Sequence, residues 1–149
     1  MSTSTPRSLP NERGQSLVEF AFSITLLLTL LAGSLDLGRA YFTYLTLRDA
    51  AQEGAAYGAI DPNHPALIEQ RVRTTTSDPL DFSDPNVSVA VGYIDDYYPS
   101  GTLCAGDAVQ VTVGVTFEII APFLGAIVGT QSFPLQATVQ DTILRPACP

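Results

Sequence analysis

Residues 13–35 read RGQSLVEFAFSITLLLTLLAGSL, and the fold turns on what this stretch is. Phe20 to Leu35 is a run of sixteen residues without a charge, bracketed by Glu19 and Asp36. With its flanks, Leu17 to Leu37 supplies 21 positions, close to the ~20 that a helix needs to cross a bilayer. A carboxylate near hydrocarbon is costly, and it is kept where it pairs, serves a function or reaches water. Glu19 and Asp36 stand at the two ends, where water and headgroups are within reach. Glu19 also follows, five residues on, a glycine that itself follows an arginine.

Before the stretch, Met1 to Arg13 (MSTSTPRSLPNER) is polar, contains prolines and has no period, so it reads as a disordered leader. Arg7 and Arg13 set the orientation, because arginine-bearing flanks stay on the cytoplasmic side. The division that follows is a cytoplasmic leader over 1–14, a transmembrane part over 15–37, an outer helical part over 38–60 and an extracytoplasmic α+β domain over 61–149.

After the stretch, no proline occurs between Pro10 and Pro62, and the spacing predicts one helix from about Ser16 to Tyr57. Such a helix is roughly 60 Å long at ~1.5 Å per residue, twice the bilayer core. Its outer half needs a partner, since a helix of this length is marginal in water on propensity alone. Small residues recur at i, i+4 in two rows, Ala50, Gly54, Gly58 and Ala51, Ala55, Ala59, with a bulkier patch at Tyr41, Tyr44 and Leu45. Gly54 and Gly58 mark a helix-packing face that lets another backbone come close. Two readings stay open, and one helix can serve both: packing on a second chain, or packing under the protein's own sheet.

DPNHP (61–65) ends the long helix, and Pro65 suits the first position of a second, short amphipathic helix with Leu67, Ile68, Arg71, Val72 and Thr75 on one face. Asp78-Pro79 and Asp84-Pro85 bound a turn-rich link. Then the period becomes two. Val87, Val89 and Val91 alternate with small residues, Val109 to Phe117 alternates over nine positions, and Phe133 to Val139 does so again. Pro134 belongs at a strand start or edge. The fold class expected is α+β: a long N-terminal helix, a short helix and an antiparallel sheet of three to four strands, pilin-like, with one apolar face covered by the helices. IIAPFLGAIVGT (119–130) is unusually apolar for a connection, and it reads either as core or as a tip that touches membrane or a partner.

Composition limits the function. The 149 residues carry seven arginines, no lysine and 15 acids, for a net charge of −8. From Asp61 onward, ten acids face Arg71, Arg73 and Arg145, leaving net −7 in the outer part. Nucleic-acid binding needs a cationic footprint, so none is expected. Catalytic parts are scarce: one histidine, no phosphate-cradling glycine loop and no zinc-type or EF-hand spacing. His64 reads as a surface turn residue. Asp95, Asp96 and Asp107 read as solvated loop acids, with oxygen ligation of calcium the lesser reading. No enzyme, metal, cofactor or small-molecule substrate is expected. Cys104 and Cys148 both fall in the outer part, where a disulfide is the default; closing that loop adds roughly 4 kcal/mol by chain entropy.

RG-QSLVEF followed by an apolar helix resembles the class III signal of type IV pilins and pseudopilins. There a prepilin peptidase cuts after the glycine, and the fifth residue of the mature chain is glutamate. Gly14 and Gln15 would flank the cut, and Glu19 is fifth from Gln15. Residues 13–59 as a whole look like the TadE-like family, minor-pilin-like components of the tight-adherence (Flp, type IVb) pilus system. Beyond 59 the likeness is one of architecture only. Phe20 stands where Flp pilins favour tyrosine, and the chain is long for a major Flp pilin; both favour the TadE-like group over the main fibre subunit. The resemblance implies a single-pass protein of the cytoplasmic membrane whose partners are the peptidase, other pilin-like subunits and pilus assembly proteins. It also implies that Glu19 pairs with the N-terminal amine of a neighbouring subunit.

Two other classes fit parts of the same stretch. One is a secreted binding protein whose signal peptide has its apolar region at Phe20–Leu31 and ends near Ala32-Gly33-Ser34. The other is an uncleaved, single-pass membrane-anchored extracytoplasmic binding domain. The mature N-terminus separates the three.

Overall fold

The computed structural model describes residues 13–75, 80–94, 103–121 and 124–145. The leader up to residue 12, Asp95, Asp96 and Cys148 lie outside them, so the expectations for those positions are not addressed by the described fold.

Helix α1 runs unbroken over Arg13–Ile60, 48 residues, or about 72 Å at the α-helical rise. It extends a few residues past the expected range at each end. Asp61 N–H still donates to Tyr57 O at 3.0 Å; Pro62 has no N–H to give, and the helix stops. Helix α2 follows over Pro65–Arg73, with proline in its first turn and with Ile68 and Val72 buried. The other members of the expected face are outside the core: Leu67 is 42% exposed, and Arg71 turns to Glu53 of α1, its Nε donating to Oε1 at 2.7 Å.

Among the described residues three strands follow: β1 Ser88–Ile94, β2 Ala108–Glu118 and β3 Ser132–Thr142. They form an antiparallel sheet in the order β1-β2-β3, giving the α+β class read from the sequence. Val111 of β2 lies opposite Val91 on one side and Val139 on the other. Pro134 sits in β3, an edge strand, opposite Thr116, where a missing N–H costs no ladder bond on the free side. The connection between β2 and β3 contains a short helix, α3, over Leu124–Val128.

One face of the sheet is covered. Leu47, Ala50, Ala51 and Ala55 of α1, Ile68 and Val72 of α2, and Val109, Val111 and Val113 of β2 are buried to 0–1% exposure and form one core. The small-residue rows of α1 explain how a helix can lie so close to the valines. A Cβ on Gly54 would come within 2.5 Å of Val72 Cγ2 and 3.3 Å of Val111 Cγ1; one on Gly58 would meet Val109 Cγ2 at 2.9 Å. Of the two packing readings, the internal one describes this fold: Gly54 and Gly58 admit the protein's own α2 and β2.

Polar ties close the domain around that core. Tyr93 Oη donates to Pro62 O at 2.6 Å, and Leu144 N–H donates to Ala59 O at 2.8 Å. Phe82, in the link after α2, is buried at 1%, so that link carries a core residue as well as turns. Asp107 corrects the expectation of a solvated loop acid. It is 1% exposed, and its Oδ2 accepts the Cys104 N–H at 2.8 Å. At the mouth of β2 it satisfies a buried amide, while its Oδ1 is buried without a hydrogen-bond partner among the described residues.

Candidate functional site

The feature that a folded domain in water would not tolerate is the first half of α1. Leu17, Phe20, Phe22, Leu26, Leu27, Leu30 and Leu31 are 58–75% exposed. Each such side chain is worth about 1.5–3 kcal/mol when taken out of water, so this surface must be covered by lipid or by other helices. The helix is long and apolar enough to cross a membrane. Its hydroxyls are compatible with that: Thr25 Oγ1 donates to Ala21 O at 2.7 Å, Thr29 Oγ1 to Thr25 O at 2.8 Å and Ser34 Oγ to Leu31 O at 2.8 Å. Each spends its donor on its own helix.

The two acids that flank this surface differ. Glu19 is exposed and has no hydrogen-bond or ion-pair partner among the described residues. Gly14 and Gln15 are exposed in the first turn of the same helix. A Cβ added at Gly14 meets nothing within 4 Å, so the fold makes no demand for glycine there.

Asp36 is engaged by the domain. Its Oδ2 accepts the Ile120 N–H at 3.0 Å and the Ala121 N–H at 2.7 Å, while Oδ1 accepts from Arg39 Nη1 at 2.8 Å. Arg39 in turn lies over the Phe117 ring, 5.3 Å from its centroid, a distance at which the ring face attracts a cation. Phe117 packs against Phe133 with centroids 5.4 Å apart. These residues fasten the end of β2, the start of β3 and the connection between them onto α1, one turn beyond its apolar stretch. Sequence reading treated Asp36 only as a boundary charge. Its position at the end of an uncharged run was the available signal, but its partners are backbone amides 84 and 85 positions away.

His64 is an exposed turn residue with Nδ1 at 2.8 Å from Asp61 Oδ1. Among the described residues no group of three or more His, Cys, Asp or Glu is placed to hold a metal ion. Cys104 is buried at 1% exposure, and no free cysteine occurs among the described residues.

Among the described residues, the α+β domain thus stands on one helix long and apolar enough to cross a membrane. The sequence model of the TadE-like protein family matches residues 14–56, which lie wholly inside α1, so the resemblance read from RGQSLVEF and its continuation is shown there. No curated protein and no solved structure matches the chain.

Proposed function

We propose that the chain is a membrane-anchored, minor-pilin-like subunit for assembly of tight-adherence (Flp type IVb) pili, contributing to adhesion or surface secretion. The observation that carries this reading is the coincidence of the TadE-like match over 14–56 with a bare apolar helix that presents Gly14, Gln15 and Glu19 together at its start. In this reading the N-terminus is cytoplasmic and the sheet domain extracytoplasmic. Prepilin peptidase removes residues 1–14, and Glu19 then pairs with the new N-terminal amine of a neighbour while the bare helices pack together. The domain is an assembly module with no catalytic role, no cofactor and no small-molecule substrate. Cys104 and Cys148 form a disulfide that ties the chain end to the mouth of β2.

Intact mass of the protein purified from its native envelope tests the reading. A chain that starts at Gln15 supports it; a chain that retains residues 1–14 overturns processing. A start near Leu35 would instead indicate a removed signal peptide. One observation favours the second reading, an uncleaved single-pass anchored binding domain: α1 already begins at Arg13, so the helix runs through the proposed cleavage point. Gly14→Leu separates the two, because it should block maturation of a pilin-like subunit and change nothing in a permanently anchored domain.

A further inference from the structure

We infer that the described part of the β2–β3 connection, residues 119–121 and 124–131, is a membrane foot, seated in the headgroup and upper acyl layer of the bilayer that α1 crosses. The inference rests on reading α1 as a membrane-spanning helix and adds where the folded domain stands relative to the lipid. It starts from a length. Residues 14–28 are exposed, Thr29, Ala32 and Gly33 are half-buried, and Gly33 already lines a cleft with Phe117, Ile119 and Val128 of the domain. The nineteen residues from Gly14 to Ala32 reach about 28 Å, just short of the ~30 Å of hydrocarbon that must be crossed. About 20 residues are needed, and counted from Gly14 they end at Gly33, where α1 meets the domain. The edge of the domain therefore lies at the level where hydrocarbon gives way to headgroups.

The segment held at that level has the chemistry for it. Ile119 to Gln131 contains no charged residue. Asp36, one turn above Gly33, grips the Ile120 and Ala121 amides and so fixes the height of the connection on the helix. Ile120 is 69% and Val128 61% exposed, a costly arrangement if both faced water. Between the connection and the helix runs a mostly apolar cleft of about 170 Å³ whose lining includes Gly33, Asp36, Leu37, Phe117, Ile119 and Val128, suited to an acyl chain. Amphipathic elements that lie in the interface bury their apolar side by ~5–10 Å, which is the depth the helix length requires here.

The chain contains no tryptophan, so single-tryptophan reporters test this directly in the full-length protein reconstituted into phosphatidylcholine–phosphatidylglycerol vesicles. Val128→Trp and Ile120→Trp report on the foot, Leu26→Trp on the span, and His64→Trp on the opposite end of α1. With lipids brominated near the headgroup end of the acyl chains, the foot reporters should shift to the blue and be quenched, and the His64 reporter should be neither. A quenched Leu26 reporter with unquenched foot reporters overturns the foot while leaving the span intact. An unquenched Leu26 reporter removes the span itself, and the foot with it. Foot reporters shielded from acrylamide but untouched by brominated lipid, with shielding lost on dilution into more lipid, would mean that a second copy of the chain covers the connection, which also overturns the proposal. Two foot positions are used so that poor folding of one variant does not decide the result.

Discussion

Asp36 and Ala121 are 85 positions apart in the chain and are joined by a 2.7 Å bond from the Ala121 N–H to Asp36 Oδ2. The same oxygen takes the Ile120 N–H, and the other oxygen takes Arg39. A single carboxylate at the end of the apolar stretch thus satisfies two backbone donors of the β2–β3 connection. Asp36→Asn keeps the size but turns one of the two acceptor atoms into a donor, which must then face either the amides or the guanidinium. Hydrogen exchange at Ile120 and Ala121 is expected to accelerate in Asp36→Asn and more so in Asp36→Ala, with the core valines of β2 little changed. Unaltered exchange at those two amides would show that the carboxylate does not hold the connection.

The glycines of α1 divide by what surrounds them. A Cβ on Gly38 meets nothing within 4 Å, whereas one on Gly54 overlaps Val72 Cγ2, a stiff side chain at 0% exposure. Gly38→Ala should follow helix propensity and gain up to ~1 kcal/mol. Gly54→Ala has the same propensity gain set against overpacking, which costs about 1–3 kcal/mol, so the net change should be a loss. Thermal unfolding of the two variants in the same detergent checks the opposite signs, and a gain at both positions would mean that α1 does not press on α2 as described.

Much of this was legible because periodicity reports burial. Val109, Val111 and Val113 alternate with the half-buried Ala108, Gln110 and Thr112 and lie on the buried face of β2 in the fold. The sixteen uncharged residues from Phe20 to Leu35 likewise announced the bare half of α1. What was not legible depends on contacts between distant positions. Asp36 and Asp107 look like any boundary or loop acid until the backbone amides that they satisfy are placed beside them. α3 escaped notice because five residues between Gly and Pro signals carry too little period to distinguish helix from coil. The Gly54–Gly58 spacing is the same whether the approaching partner is another chain or the protein's own sheet, so the contacts with Val72 and Val109 become visible only in the fold.

Tyr93 should contribute a stability that fails at alkaline pH. Its hydroxyl donates to Pro62 O at 2.6 Å, and burial, aided by the Asp61 charge, raises its pKa above the usual 10.0. The folded state therefore holds this proton more tightly than the unfolded chain. The contribution is complete below about pH 10 and is lost as pH rises through the higher folded value. Tyr93→Phe should cost about 1 kcal/mol at pH 7, and the gap between the two proteins should narrow above pH 10. A gap that stays constant into alkaline solution would assign the loss to packing alone.

The proposed Cys104–Cys148 bridge has a simple mass signature. Alkylation of the unfolded protein should add nothing before reduction and label both cysteines afterwards. Removing the bridge by Cys148→Ser should lower stability by roughly the 2–5 kcal/mol typical of small extracytoplasmic domains. Two alkylated cysteines in unreduced protein taken from the envelope would exclude the bridge.

Glu19 supplies the last prediction, and its contrast with Asp36 is what makes it decisive. Asp36 is consumed by the protein's own backbone, so changing it disturbs the fold. Glu19 has no partner among the described residues and stands on a helix surface that the domain does not touch. Glu19→Gln should therefore leave the unfolding temperature of the domain unchanged and make insertion easier, since a charge near hydrocarbon carries a cost that an amide largely avoids. If the chain acts alone as an anchored domain, nothing further should be lost. If it assembles, the carboxylate is the group that meets a neighbour's amine among packed apolar helices, where removing one partner of an ion pair costs more than the ~1 kcal/mol of an exposed pair. The expected outcome is a protein that is cleaved, folded and membrane-inserted, yet depleted from sheared pili and from crosslinked complexes with other pilus subunits. Incorporation at the wild-type level would remove the pairing role and leave the anchored domain as the better account.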